Sequence, residues 1–325
     1  MAFSQKILAQ HSDKGNPSLL DNGCMSSHAA SPVGLEYHIV DVFTDTALKG
    51  NGLAVVFDTV GLPTDRMQAI AREFNLSETT FIQRRQTSLE GQEGVTVRIF
   101  TTQEELPFAG HPTLGTASVL KLHAPEVLDR DTIHLALKVG TVPVRFKSDS
   151  LFGEMTQRNP EFGLQLDIAE VARLCGLRTD DLHASVPPQV VSTGTAFAIV
   201  ALRSHESLAR LHVDQEPATQ YLRANGGRWF YVMGPTAGDH PGWRARMQFY
   251  GGEDPATGSA AGCAISYLVK HNLVEPGRRI HVQQGVEIGR ASDLFLAADV
   301  IEGRVTNVRV AGSTVPVAKG TIFLP

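Results

Sequence analysis

The sequence has few cysteines, few tryptophans and no long apolar run. Its three cysteines, Cys24, Cys175 and Cys263, share no paired or metal-ligand spacing. That argues against a disulfide scaffold and favours a reducing compartment, so a cytoplasmic location is expected. No apolar run approaches the roughly 18 residues of a membrane span. Residues 1–34 lack the apolar core of a secretory signal. They are rich in Ser, Asn, His and Gly and read as a flexible leader, with Met25 available as an alternative start. The net charge of −5 provides no basic footprint for nucleic acid. His11, His28, His123, His134, His183, His205, His212, His240, His271 and His281 form no ligand spacing, so no metal is expected. Gly50 and Gly52 do not continue into a GxGxxG turn, which leaves a dinucleotide fingerprint unsupported. What remains is a globular composition, 42% hydrophobic and 19% charged, in 325 residues, a length that fits two domains.

The organising stretch is Gly251 to Gly262, GGEDPATGSAAG. A strand-like segment, Arg244 to Tyr250, precedes it. A helix-like segment, Ala260 to His271, follows with Ile265, Leu268 and Val269 on one stripe. The stretch is therefore a strand-to-helix turn. Its small residues let a ligand approach the backbone, and a helix start suits a carboxylate or phosphate. Asp254 is held beside that start by Pro255. The plainer reading is a helix capped by Thr257 or Ser259.

Upstream, strands are expected at Tyr37–Phe43, Leu53–Phe57 and Val95–Phe100, with a helix at Asp65–Phe74. Asn75 to Ile82 passes from helix end to strand, and on its own places Glu78 as a solvated acid in a connection. A turn, Glu104 to Ala117, leads into a further helix. A hairpin around Val139-Gly140 and a strand at Leu151–Gln157 follow. The second part adds a helix from Asp167, strands at Gln189–Thr193 and Phe197–Leu202, a helix at Gln215–Asn225 and a buried strand at Trp229–Met233. Four more strands follow the key stretch. Cys175 reads as packing.

The chain repeats itself at a shift of about 148 residues. Arg98 falls on Arg246, Glu105 on Glu253, Pro107 on Pro255, Gly110 on Gly258 and His111 on Ser259. Each copy reads strand, acidic turn, helix. Two related halves facing each other would aim two helix starts into one cleft, a site suited to a small carboxylate.

The segments NLSETTF (Asn75 to Phe81), FAGHPT (Phe108 to Thr113) and GEDPATGSA (Gly252 to Ala260) occur in that order. With Val40-Asp41-Val42-Phe43 and Gly50-Asn51-Gly52, they closely resemble the PhzF-type isomerase family of phenazine biosynthesis. The resemblance runs from about Tyr37 to the C-terminus. It implies an α/β diaminopimelate-epimerase-like fold: two pseudo-symmetric domains, each a sheet curled around a central helix. The expected division is a leader at 1–34, one domain at 35–160 and a second at 161–310, with a C-terminal strand near 311–325 returning to the first. The resemblance also implies a homodimer and isomerase chemistry with neither metal nor organic cofactor, on a small carboxylate-bearing substrate.

The family's motifs place its catalytic glutamate on Glu78, its histidine on His111 and its aspartate on Asp254. Gly110, Gly258 and Ser259 would hold the substrate carboxylate. A buried Glu78, with its pKa raised, could take a proton from one carbon and return it to another. His111 could donate or accept, and Asp254 could bind an amine or carry a second proton. The main rival on the same fold is a racemase with one cysteine at each helix start. Those starts read Gly110-His111 and Gly258-Ser259, and Cys263 lies about one turn further in, which disfavours it. A non-enzymatic binding protein is the other rival, but a mere binder needs no proton carrier. Asp41 and Arg98 either orient the cleft or form structural salt bridges. Trp229 and Trp243 read first as packing.

Overall fold

The computed structural model describes residues 33–237, 242–249 and 252–324. Most of the expected leader, with Cys24 and Met25, lies outside the described residues, as do His240, Tyr250 and Gly251. No described helix is long and apolar enough to cross a membrane.

The first half runs β1 (Val33–Val42), β2 (Asn51–Val56), α1 (Thr64–Phe74), β3 (Glu78–Gln83), α2 (Thr87–Glu93), β4 (Val95–Phe100), β5 (Glu105–Leu106), α3 (Gly110–His123), β6 (Thr132–Leu137), β7 (Gly140–Phe146) and β8 (Gly153–Thr156). The second runs β9 (Glu161–Gln165), α4 (Ile168–Leu174), β10 (Gln189–Ser192), β11 (Ala196–Ala201), α5 (Gln215–Ala224), β12 (Trp229–Pro235), β13 (Trp243–Arg246), β14 (Gln248–Phe249), β15 (Gly252–Glu253), α6 (Gly258–Lys270), β16 (Ile280–Gln284), β17 (Ser292–Ile301), β18 (Arg304–Gly312) and β19 (Thr314–Leu324).

Pairing along the first half is β1–β2 antiparallel, β2–β3 parallel, β3–β4 antiparallel, β4–β6 parallel, then β6–β7 and β7–β8 antiparallel. The second half repeats that series with β10, β11, β12, β13, β16, β17 and β18. The outer strands match too: β19 adds to β1 and β9 adds to β10, both antiparallel. β8 and β18 pair with each other and join the halves. The 148-residue shift seen in the sequence is thus a repeat of topology.

The repeat extends to side chains. Arg98 grips Glu105 through two bonds of 2.8 Å, and Arg246 grips Glu253 at 2.9 and 2.5 Å. Each fork ties a strand to the turn before a central helix. Arg98 is thereby a structural ion pair. Arg98→Met is expected to cost about 2 kcal/mol of unfolding free energy in urea titration. Arg246→Met should cost more, because Arg246 is more buried and also donates to the Leu208 carbonyl at 2.6 Å.

The central helix α6 differs from the expected one-sided pattern, and α3 is enclosed in the same way. α6 is buried from Gly258 through Val269 and α3 from Gly110 through Leu120, on every side. A helix enclosed by a curled sheet must be apolar or small all round. Three buried hydroxyls of these helices bond to their own turns, Thr113 to Ala109, Ser118 to Leu114 and Ser266 to Gly262, all within 2.9 Å, and Thr116 bonds to Thr80 at 2.8 Å. The outer helices cover the other sheet faces. α1 buries Met67, Ile70 and Ala71 against Phe81 and Phe100, and α4 and α5 pack over β10 to β12.

Four further elements differ from the sequence reading. β1 runs from Val33 to Val42, beginning before the expected Tyr37. The strand expected from Arg244 breaks after Arg246, and Gln248–Phe249 pairs with Gly252–Glu253 in a separate small hairpin. α2 and β9 had no sequence signal. α2 carries Gly91 and only one buried residue, Glu90, and most of β9 is exposed, so neither has an apolar period to read.

Candidate active site

α3 and α6 meet end to end. A Cβ on Gly110 would lie 2.3 Å from the Gly258 carbonyl carbon and 2.4 Å from the Ser259 nitrogen. Neither start has a side-chain cap: Ala109 has no hydroxyl, and the Thr257 hydroxyl is turned to Asp254 Oδ2 at 2.6 Å. That corrects the expectation that Thr257 or Ser259 caps α6. Uncapped starts leave backbone N–H groups and dipole ends directed at one place.

Glu78 is the first residue of β3, beside the start of α3. It is 8% exposed, not the solvated acid its own segment suggested. His111, the second residue of α3, is 2% exposed. Its Nε2 lies 3.2 Å from Glu78 Oε2, yet neither atom makes a hydrogen bond of good geometry within the protein. Two buried polar atoms face each other without partners, which is costly unless something else binds there. Burial, with the Asp254 charge behind it, raises the Glu78 pKa well above the usual carboxylate value. Burial alone lowers His111 to about 3. Burial, rather than the helix end, keeps this histidine neutral.

Asp254 sits across the cleft, where the α6 turn begins. It accepts from Asn51 Nδ2 at 2.7 Å, Thr257 Oγ1 at 2.6 Å and Ser77 Oγ at 3.2 Å. Its burial outweighs these bonds and holds its pKa up at about 6. The turn is clamped from β16. Gln284 donates to the Asp254 carbonyl at 2.8 Å and to Thr257 Oγ1 at 2.9 Å, while its oxygen accepts from Thr257 N at 3.0 Å and Tyr231 OH at 3.2 Å. Gln157 holds the Gly258 carbonyl at 2.9 Å.

Glu78, Asp254, Thr257 and Ser259 line a narrow cavity of about 20 Å³. Its apolar side includes Phe108, Phe197, Trp229 and Phe249. Trp229, read first as packing, is thus a wall of the site. Its ring lies 5.8 Å from both Phe197 and Phe249, with the Arg228 guanidinium over it at 4.3 Å. Arg228 also pairs with Glu104 from the other half.

The structure therefore gathers all the expected residues. Glu78, Asp254 and Ser259 line the cavity, His111 meets Glu78, and Gly110 and Gly258 touch where the helices abut. Sequence reasoning passed over Ser77, Gln284 and the role of Asn51. Gln284 had a signal: it occupies a buried position of β16, after Ile280 and Val282, where alternation calls for an apolar residue. Cys263 and Cys175 are buried, their thiols pushed up to about 11 and about 12 by burial. Cys263 faces Thr193 and Thr195. Among the described residues, no group of three or more His, Cys, Asp or Glu is placed to hold a metal ion.

A family model described as phenazine biosynthesis-like protein, PhzC-PhzF, matches residues 40–320. The chain belongs to the PhzC-PhzF family. It is 37% identical over 296 residues to the trans-2,3-dihydro-3-hydroxyanthranilate isomerase of Pseudomonas aeruginosa, covering 89% of this chain and 99% of that one. A solved structure of a predicted epimerase from P. aeruginosa is 32% identical with a TM-score of 0.77, covering 90% of this chain and 100% of that chain. A hydroxyproline epimerase from Agrobacterium vitis, 11% identical, shares the fold at a TM-score of 0.58, over 90% of this chain and 93% of that one. The chain is an isomerase of the PhzF type with the diaminopimelate-epimerase-like α/β fold.

Proposed function

We propose that Glu78 is the single proton carrier of an isomerase that works without metal or organic cofactor on a small cyclic carboxylate. The observation that carries this reading is the unpartnered pair Glu78 Oε2 and His111 Nε2, buried 3.2 Å apart beside the cavity. A carboxyl group with its pKa raised by burial is poised both to take a proton from one carbon and to deliver it to another. The backbone at Gly110, Gly258 and Ser259 receives the substrate carboxylate at the two helix starts. Asp254 faces the substrate's polar substituents. The aromatic wall of Trp229, Phe197 and Phe249 suits a planar ring.

The P. aeruginosa relative is named for trans-2,3-dihydro-3-hydroxyanthranilate, which makes that compound the first substrate to offer this chain. Turnover in D₂O with deuterium appearing at a ring carbon supports the reading. A product formed without solvent exchange, together with full activity of a Glu78 variant, overturns the mechanism. Trp229→Ala is expected to raise KM about tenfold or more with a smaller change in kcat, because the wall binds ground and transition states alike.

The pH profile follows from the same burial. Glu78 must be a carboxylate to take a proton, so the acidic limb of kcat/KM is expected well above pH 4.5. Asp254→Asn removes a neighbouring negative charge and moves that limb to lower pH. A limb at the ordinary carboxylate value in the unaltered enzyme would contradict it.

We assign the cytoplasm as its compartment and a homodimer as its assembly. The working division is one domain at 35–160, to which the C-terminal strand returns, and a second at 161–310.

A further inference from the structure

We propose that Asn51 is a positioning residue that sets the tautomer of His111, so that the ring presents Nε2–H, a donor, to Glu78 and the substrate. The inference rests on the reading of Glu78 as the proton carrier, and it assigns His111 a donor's role only.

Asn51 is 1% exposed and opens β2, on the first half of the molecule. Its Nδ2 approaches three groups: Asp254 Oδ1 at 2.7 Å, the Ala256 carbonyl at 2.9 Å and His111 Nδ1 at 3.1 Å. Turning the amide over would set its oxygen against the Ala256 carbonyl, which can only accept. The NH₂ group must therefore face this cluster. A proton on His111 Nδ1 would then point at another donor. Nδ1 keeps its lone pair, and the one proton of the neutral ring sits on Nε2. Nε2 is the atom 3.2 Å from Glu78 Oε2.

Asn51 is itself held across the two halves. Arg290, between β16 and β17, donates from Nε to the Gly50 carbonyl at 2.8 Å and from Nη2 to the Lys49 carbonyl at 2.9 Å and to Asp41 Oδ1 at 2.5 Å. Asp41 also accepts from Leu48 N at 2.6 Å. Asp41 and Arg290 thus fix the backbone that carries Asn51, and Asn51 ties the catalytic helix start to the Asp254 turn, 203 residues away. With Nε2 already protonated, His111 cannot take a second proton there near neutral pH. Glu78 is left as the only base between the two atoms, and His111 stabilises the charge that forms on it or on the substrate.

Long-range ¹H–¹⁵N correlation spectra of the full chain read the tautomer directly. The His111 ring signals are assigned by their loss in His111→Gln. The expected result at neutral pH is the Nε2–H form in the unaltered protein. In Asn51→Leu no donor faces Nδ1, so the ring is expected to lose its single Nε2–H form and populate Nδ1–H as well, with kcat falling at least about tenfold. Asn51→Ala should give a mixture of tautomers. An Nδ1–H ring in the unaltered protein overturns the inference, and so does an unchanged tautomer in a folded Asn51→Leu. These spectra do not depend on what Glu78 does: a Glu78→Gln enzyme that kept full activity would defeat the reading of Glu78 and leave the tautomer result standing.

Discussion

Glu78→Gln is expected to lower turnover by roughly 10²- to 10⁴-fold, the usual contribution of a positioned acid/base group. Deuterium uptake from solvent should fall in parallel. The amide keeps the volume of the carboxyl and can still hydrogen-bond, so ligand affinity, measured by calorimetry with the substrate or its product, should change little. That split separates a proton carrier from a binding residue. The physical basis is the desolvated position of Glu78. At the mouth of β3, with His111 and the Asp254 turn around it, it has little water to stabilise a charge. The reaction energy then goes into moving a proton rather than into stripping a hydration shell. Unchanged turnover in the amide variant would move the chemistry to Asp254, whose pKa of about 6 also suits proton transfer.

Gly110→Ala is expected to lower stability by about 3 kcal/mol or more and to abolish activity in whatever folds. The added methyl carbon would lie between 2.3 and 2.5 Å from three backbone atoms of Gly258 and Ser259. Backbone cannot step aside as a side-chain tip can, so the two helix starts must separate. The separation falls on the place where both helix dipoles converge, and the Glu78–Asp254 spacing changes with it. Urea titration gives the stability loss, and the activity of the folded fraction gives the rest. Gly262→Ala makes a useful contrast. Its methyl would meet the Gln157 side-chain oxygen at 1.9 Å, a group that can swing away at the loss of its bonds to the Gly258 carbonyl and the Thr193 hydroxyl. It should be the milder of the two.

The repeat shows how much of the fold could be read in advance. Aligning Arg98 with Arg246 and Glu105 with Glu253 picked out two ion pairs that the structure forms in both halves. The same alignment placed Gly110 on Gly258, the first residues of the two central helices. Helix α1 and strands such as β4, β6 and β16 follow from their apolar periods, because each has one covered and one wetter side. The readings that failed have a common cause. α3 and α6 have no wet face, so the one-sided stripe expected for α6 was absent, and α2 and β9 have too little buried surface to leave a pattern.

The site divides along the same line. Motif order located Glu78, His111, Asp254, Gly110, Gly258 and Ser259, because a helix start and the turn before it are local features written in consecutive residues. Asn51, Ser77 and Gln284 reach Asp254 and its turn from separate strands and loops. No local pattern records such a meeting. Trp229 likewise becomes a wall of the cavity only when β12 lies beside the small hairpin that carries Phe249.

The sequence by itself determined the family, the duplicated architecture and the residue types of the turns before the two central helices. These depend on spacing along the chain. The tertiary structure alone decided the protonation of the site. Glu78 is raised, His111 is held neutral and Asp254 is brought to about 6 because water is excluded where the two halves close on one another. A pKa set by desolvation belongs to the enclosure and not to the residue.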